Sequence, residues 1–245
     1  SFLTDYDMNK VYNKIMKTYP DMEDIRKKLE LGFKHYRYYF PEKEIPGIYT
    51  FMGGFNQSIV IADSILAIGL DKYLGRDCEY YDKLGWDQYR QKNMHKKKIP
   101  TDCLHAWART EWPFDDSTDN LLSNMLYRGK LIYFTKSMLP GEADTLIMGY
   151  TAEELEWCVH NEENIWNYLI DHDLLYSTEY MTINKMVNPA PFTSGFPRKS
   201  PGRAVNWLGW QIIEAYMDRN SGMTLGQLME NESYQSILTE SRYHP

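Results

Sequence analysis

The chain has no apolar run approaching the ~20 residues that span a bilayer. Its longest, Ile65–Leu70, suits a strand or a core segment. It has three widely spaced cysteines, Cys78, Cys103 and Cys158, and no Cys-x-x-Cys pair, which argues against a structural zinc site. An odd count leaves at least one thiol free unless it pairs between chains, so cysteine alone assigns no compartment. There is no long basic stripe. The formal net charge is −7, and the short run Lys96–Lys98 reads as a solvated loop. That balance argues against a general nucleic-acid binder. Gly-x-Ser-x-Gly is absent and the six His are scattered, so the common sequence marks of a hydrolase are missing. No repeat and no Gly- or Ser-rich linker breaks the chain, and the expectation is a single domain over 1–245. No signal peptide is visible at Ser1, and the first residue is polar and not Met. The expected explanation is a processed or shortened chain from which a targeting segment has been cut.

What is present is ordinary for a folded protein, with one exception. A length of 245 residues can bury one large core or two small ones, and 43% hydrophobic with 25% charged residues is typical. Aromatic content is high at 15%, with 20 Tyr and 7 Trp. Such rings favour half-buried surfaces and grooves.

Thr4–Tyr19 and Asp21–Phe40 read as helices separated by Pro20, the second with Leu29, Phe33 and Tyr36 at helical spacing. The β-formers Ile48, Tyr49, Phe51 and Ile59–Ile61 cluster once. With turn residues at Gly53-Gly54 and Asn56-Gln57, they predict a hairpin seeding a small antiparallel sheet. Asp71 follows, and a turn residue at a strand end is favoured over a catalytic acid. Gly75–Gly85 reads as a loop, and Asp87–His95 and Thr101–Trp112 as helices, Pro100 setting the first turn of the latter. Asp115-Asp116-Ser117 is expected to cap a helix running to Leu139. Thr151 with Glu154 spells a capping box, and Tyr150 with Leu155 a hydrophobic staple, for a helix to about Ile170. Asn188–Pro201 is a long irregular loop holding Phe192 and Phe196, a kind that is often functional. Ser200 and Pro201 are expected to cap a helix to about Asn220, apolar over most of its circumference and so central. A second capping box stands at Thr224–Gln227.

Candidate binding residues come from two places. In Asn120–Phe134, Leu121, Met125, Arg128 and Ile132 fall on one helical line. An arginine among apolar residues either snorkels to solvent or needs a buried partner. Upstream, Asp102, His105 and Arg109 share one helix face. Arg198, Lys199 and Arg203 collect at a helix N-terminus that could hold an anion or pair with some of the 34 acidic residues.

Several strings then carry a resemblance. They are Ile48-Tyr49-Thr50, Gly69-Leu70-Asp71-Lys72-Tyr73-Leu74-Gly75, the run Met125–Phe134, Asn161–Trp166, Leu174–Ser177, Ser200–Arg203 and Gly209–Ile212. In this order, over nearly the whole chain, they resemble the gliding-motility lipoprotein GldB family of Bacteroidetes. The resemblance implies an exported, periplasm-facing lipoprotein of the cell envelope. Its N-terminal lipidated cysteine and the sequence ahead of the domain would lie outside this chain. Members of that family are implicated in gliding and its associated secretion.

The family in turn resembles zinc peptidases with His-Glu-x-x-His on one helix and a later glutamate. Two His at that spacing ligate zinc, the Glu activates water, and the later Glu completes the shell. Here the matching string is His105-Ala106-Trp107-Ala108-Arg109, and the later glutamate falls at or near Arg128. Two cations in place of metal ligands repel a dication.

The expectation is therefore an α+β fold, predominantly helical, with zincin-like helices packed on one small antiparallel sheet. The function implied is a non-catalytic pseudo-peptidase that binds or scaffolds. Its candidate ligand or anion pocket is His105, Arg109, Arg128, Ser200, Arg203 and Trp210, with no catalytic residue, no metal and no cofactor. Partners are cell-envelope proteins or a small ligand, not nucleic acid, with membrane contact only through the lipid anchor. Two other classes stay open: an atypical zinc-dependent hydrolase, and a structural subunit of a membrane-associated assembly.

Overall fold

The computed structural model describes residues 5–245, the side chains of Asp5, Tyr6 and Thr118 excepted. The expected helix start at Thr4 lies outside that range. The protein is a predominantly helical α+β structure with one three-stranded sheet. It forms two compact units.

The first unit comprises residues up to Thr110 together with Met138–Gly141. It holds helices α1 (Asp5–Thr18) and α2 (Glu23–Tyr39), then strands β1 (Gly47–Phe51), β2 (Ile59–Ala62) and β3 (Ile65–Gly69). Short helices α3 (Glu79–Lys83) and α4 (Gln88–Gln91) follow, and α5 (Ile99–Glu111) closes it. Helix α2 buries Ile25, Leu29, Phe33 and Tyr36, the stripe its spacing predicts. Phe33 and Tyr36 each meet Trp107 of α5 edge-on, at 6.1 and 6.3 Å between ring centroids. Helix α1 is pinned at its end, where Tyr19 Oη donates to the Tyr73 carbonyl at 2.7 Å.

The sheet is mixed, not antiparallel as expected. Its order is β1-β3-β2, with β1 parallel to β3 and β2 antiparallel to it. The hairpin turns at Asp63-Ser64, and Asp63 takes φ +45°, a left-handed conformation that aspartate tolerates. The segment 52–58, which holds the predicted turn residues Gly53-Gly54 and Asn56-Gln57, instead carries the chain past β3 to its far side. A long-range anchor explains the difference. The Phe55 ring is buried against Tyr80 and Tyr81. One carboxylate oxygen of the fully buried Asp71 accepts from the amides of Gly53 (3.1 Å) and Phe55 (2.7 Å). A short helix, α3, also interrupts the stretch 75–85 predicted as loop, and α4 covers only part of the predicted 87–95.

The second unit is Glu111–Ser137 with Glu142–Pro245. Its helices are α6 (Leu121–Met138), α7 (Asp144–Met148), α8 (Ala152–His160) and α9 (Glu162–Asp171). They are followed by α10 (Tyr180–Val187), α11 (Ala204–Arg219), α12 (Leu225–Glu230) and α13 (Tyr234–Ser241). Helix α11 is central, as its apolar circumference predicts, with α8, α9, α10 and α13 packed on it. It meets α6 at a pair of glycines. A Cβ on Gly129 would stand 2.5 Å from the Gly209 carbonyl carbon and oxygen, so the two backbones touch.

Both predicted capping boxes are present, at Thr151/Glu154 and Thr224/Gln227. The helix expected over 151–170 is two, α8 and α9, parted at Asn161, and α10 falls in a stretch assigned to nothing. Two predicted caps differ. Asp115 caps a separate single turn, Asp116–Thr118, while the Asn120 side chain accepts from the Ser123 amide at the start of α6 (2.9 Å). Helix α11 starts three residues later than expected, with Arg203 at φ +65°. The Ala204 amide donates to Thr193 Oγ1 at 2.8 Å, and that hydroxyl donates to the Pro201 carbonyl at 2.7 Å. Thr193 is fully buried, and its own amide donates to Ser200 Oγ at 3.3 Å. The loop 188–203 thus folds back and caps the helix it leads into.

Candidate functional site

In the first unit, the end of β3 runs straight into a 3-10 turn, Leu70–Tyr73. Asp71 on that turn faces inward and organises the 53–55 loop, so it serves as a structural turn residue. Lys72, next to it, donates to the Phe55 carbonyl at 3.2 Å and places its ammonium 3.5 Å from the centre of the Trp86 ring, a cation–π contact. Burial pushes the Lys72 pKa down to about 8; Asp71 pulls it back up, and Arg90 adds to the fall.

These groups border a cavity of about 210 Å³. Lys72, Trp86, Arg90, Asp102, Tyr73 and Ser58 are among its lining residues. Asp102 accepts from Tyr73 Oη at 2.9 Å and pairs with Lys98 Nζ at 3.1 Å. Burial and the Asp102 charge hold the Tyr73 hydroxyl well above its ordinary pKa. Burial, helped by Lys98, lowers that of His95.

The residues predicted as a pocket are distributed over both units. His105 is half-buried on α5 and Arg109 is exposed near its end. Asp102, on the same predicted face, is engaged by Tyr73 and Lys98. In the second unit, half-buried Arg128 donates to Asn188 Oδ1 at 3.2 Å, where the long loop begins. Ser200 is buried and accepts from Thr193. Arg203 donates to the Met148 carbonyl at 2.6 Å, and its guanidinium lies 5.8 Å from the Tyr150 ring centre. Trp210 is buried with the Lys136 ammonium 4.7 Å from its ring centre. Lys136 in turn pairs with Asp144 at 2.8 Å and reaches Glu214 at 4.0 Å. Burial raises the Glu214 pKa against the pull of Lys136.

The most buried cation of α6 is one that the helical line missed. Lys130, two residues beyond Arg128, is 2% exposed and donates to the carbonyls of Met229 (3.0 Å) and Asn231 (2.9 Å). Its task is structural: it satisfies the end of α12. Among the described residues, no three His, Cys, Asp or Glu side chains are grouped so as to hold a metal ion. Cys78, Cys103 and Cys158 are all buried and free.

A family model described as gliding motility protein GldB matches residues 1–245. The chain belongs to the GldB family. No curated protein and no solved structure matches it. The GldB match spans both units, so the cavity beside Lys72 and the glycine contact of α6 with α11 both lie within the family domain. No helix among the described residues is long and apolar enough to cross a membrane.

Proposed function

We propose that this GldB-family chain is a non-catalytic, exported component of the cell envelope. It is held to a membrane by a lipidated cysteine outside the present sequence, and it works by binding protein partners in gliding and its associated secretion. Family membership supports the setting. The observation that carries the binding role is strand β1. It is an edge of the sheet, pairs only with β3 among the described residues, and its first four residues are exposed. Gly-Ile-Tyr-Thr-Phe contains no charge and no proline, the devices that keep edge strands from recruiting another strand. The register places Tyr49, Ala67 and Val60 side by side on one face, with Ile65 next along β3. Tyr49 is 59% exposed, Ile65 45% and Val60 37%. An extended segment of an envelope protein, adding to β1 and covering these side chains, is the occupant this edge suits.

The non-catalytic part rests on residue identity. In the resemblance to zinc peptidases, Ala106 and Arg109 fall where a zinc helix has its general base and second ligand. Purified protein is expected to hold well under one zinc per chain by elemental analysis, and to leave casein intact with or without added zinc. Stoichiometric zinc bound through His105 would overturn this reading in favour of a hydrolase.

The binding part is tested by Tyr49→Lys, which puts a charge on the exposed edge while removing little buried surface. Thermal stability should stay within about 0.5 kcal/mol of the wild type, as for ordinary surface changes. In the source bacterium, a deletion strain carrying this variant should lose spreading or secretion that the wild-type gene restores. A photo-crosslinker at position 49 should give a discrete adduct that disappears when Val60 is also made Lys. Full restoration by a folded Tyr49→Lys protein would sink the sheet-edge role.

A further inference from the structure

The cavity beside Lys72 carries an inference that does not depend on the sheet edge. Its lining holds charges of both signs, two cations and one acid. Lys72 forms no ion pair among the described residues; its ammonium is held by a carbonyl and an aromatic face. Arg90 is well exposed; its Nε donates to Tyr89 Oη at 3.0 Å and approaches Asp87 at 3.9 Å, which leaves its terminal nitrogens to face the cavity. Both cations line the cavity, and Arg90 disfavours the charged form of Lys72. Two like charges kept beside one another in a half-buried hollow favour an anion between them. Elsewhere in the lining stands the Asp102 carboxylate, oriented by Tyr73 and Lys98. An acid in the same cavity repels a compact dianion such as phosphate. It welcomes a molecule with a hydrogen-bond donor next to a single negative charge.

We propose that this cavity binds a small α-amino or α-hydroxy carboxylate, its carboxylate between Lys72 and Arg90 and its amine or hydroxyl towards Asp102. The volume, about 210 Å³, suits a compact molecule and not a polymer segment. Trp86 and Met94 supply the apolar part of the lining. The residues come from the segment before β2, the 3-10 turn after β3, α4 with the segments on either side of it, and α5, so the site exists only in the folded first unit. Binding is proton-linked. Lys72 has to be charged, and the groups acting on it are Asp71 on its own turn and Arg90 on α4, with Asp102 and Tyr73 in the same lining. With the Lys72 pKa at about 8, affinity falls as pH rises through that value.

The test uses the full chain, labelled with nitrogen-15, and follows the Trp86 indole N–H, identified by its loss in Trp86→Phe. Alanine, lactate, acetate and inorganic phosphate are titrated separately to millimolar concentrations. Alanine or lactate should shift the signal saturably, acetate should bind at least about tenfold more weakly, and phosphate should leave the signal unmoved. Arg90→Gln, a surface change that keeps the fold, should weaken binding at least about tenfold. A change from pH ~7 to pH ~9 should weaken binding by up to about tenfold, as Lys72 loses its proton. Asp102→Asn, checked for native circular dichroism, should erase the preference over acetate. The proposal is overturned if neither alanine nor lactate saturates, if phosphate competes as well as they do, or if Arg90→Gln binds like the wild type.

Discussion

Gly209→Ala should destabilise the second unit by at least about 3 kcal/mol, lowering its melting temperature by roughly 6–12 °C. The reason is distance. A methyl group at that position would lie 2.2 Å from the Met125 carbonyl oxygen and 2.8 Å from its carbon. Those atoms are backbone of α6 and cannot swing aside. The helices would have to separate, and both are buried over most of their surface at this level. Leu121, Leu122, Met125 and Leu126 on α6 and Leu208, Ile212 and Ile213 on α11 are 0–2% exposed. Close-packed interiors transmit such a displacement to every neighbour. Gly129→Ala should behave alike, since its methyl would meet the Gly209 carbonyl and the Trp210 amide at 2.5 and 2.8 Å. The double variant should cost less than the sum, because one separation of the helices relieves both clashes. Gly222→Ala, with nothing within 4 Å and no positive φ, is the control and should change stability by no more than about 0.5 kcal/mol. Differential scanning calorimetry on the four proteins decides it. Equal melting temperatures for Gly209→Ala and Gly222→Ala would mean that the helices do not meet at this pair.

These glycines show what a single sequence does and does not reveal. Both helices were legible from their residue types, and so was the central place of α11. Their contact was not, because a glycine in a helix looks the same whether it faces a backbone or water. Local devices were equally legible: the boxes at Thr151 and Thr224 need only residues three apart. The cap of α11 was not, since its acceptor is Thr193, eleven residues upstream across an irregular loop. The single cluster of β-formers located the sheet. Its mixed topology depends on Phe55 and Asp71, whose partners lie up to 26 residues away (Phe55 and Tyr81, 81 − 55). The cavity was hidden for the same reason. Lys72, Trp86, Arg90 and Asp102 share no periodicity, and only Lys72 sat inside a string that carried the family resemblance. Helical spacing also pointed to Arg128 as the buried cation. On a helix buried nearly all round there is no single stripe, so one line of residues cannot tell Arg128 from Lys130.

Lys130→Met is the second substitution expected to matter most. Methionine keeps the length and flexibility of the side chain and fills nearly the same space. It removes the two donors that satisfy the carbonyls of Met229 and Asn231, at the end of α12. A lysine there also meets the negative end of the helix dipole. Its ammonium lies 5.3 Å from the Tyr234 ring centre. Two hydrogen bonds from a charged donor are worth about 1.5–3 kcal/mol each, and burying the charge offsets part of that. The net loss should be on the order of 2–4 kcal/mol, measured by urea unfolding. The pH dependence gives an independent signature. Burial pushes the Lys130 pKa down to about 8, Glu232 acting the other way, while an unfolded lysine titrates near ~10.4. Between those values the unfolded chain holds a proton that the folded chain has released. Wild-type stability therefore gains with rising pH from this group across that window, and is insensitive to it below pH ~8. Methionine cannot titrate, so the gap between wild type and variant should widen by on the order of 2 kcal/mol from pH ~7 to pH ~10. Lys72, whose pKa is also depressed, is present in both proteins and cancels in the difference. A gap that stays constant over this range would show that Lys130 titrates normally and is not enclosed. The absence of any gap at either pH would show that the two carbonyls find other donors.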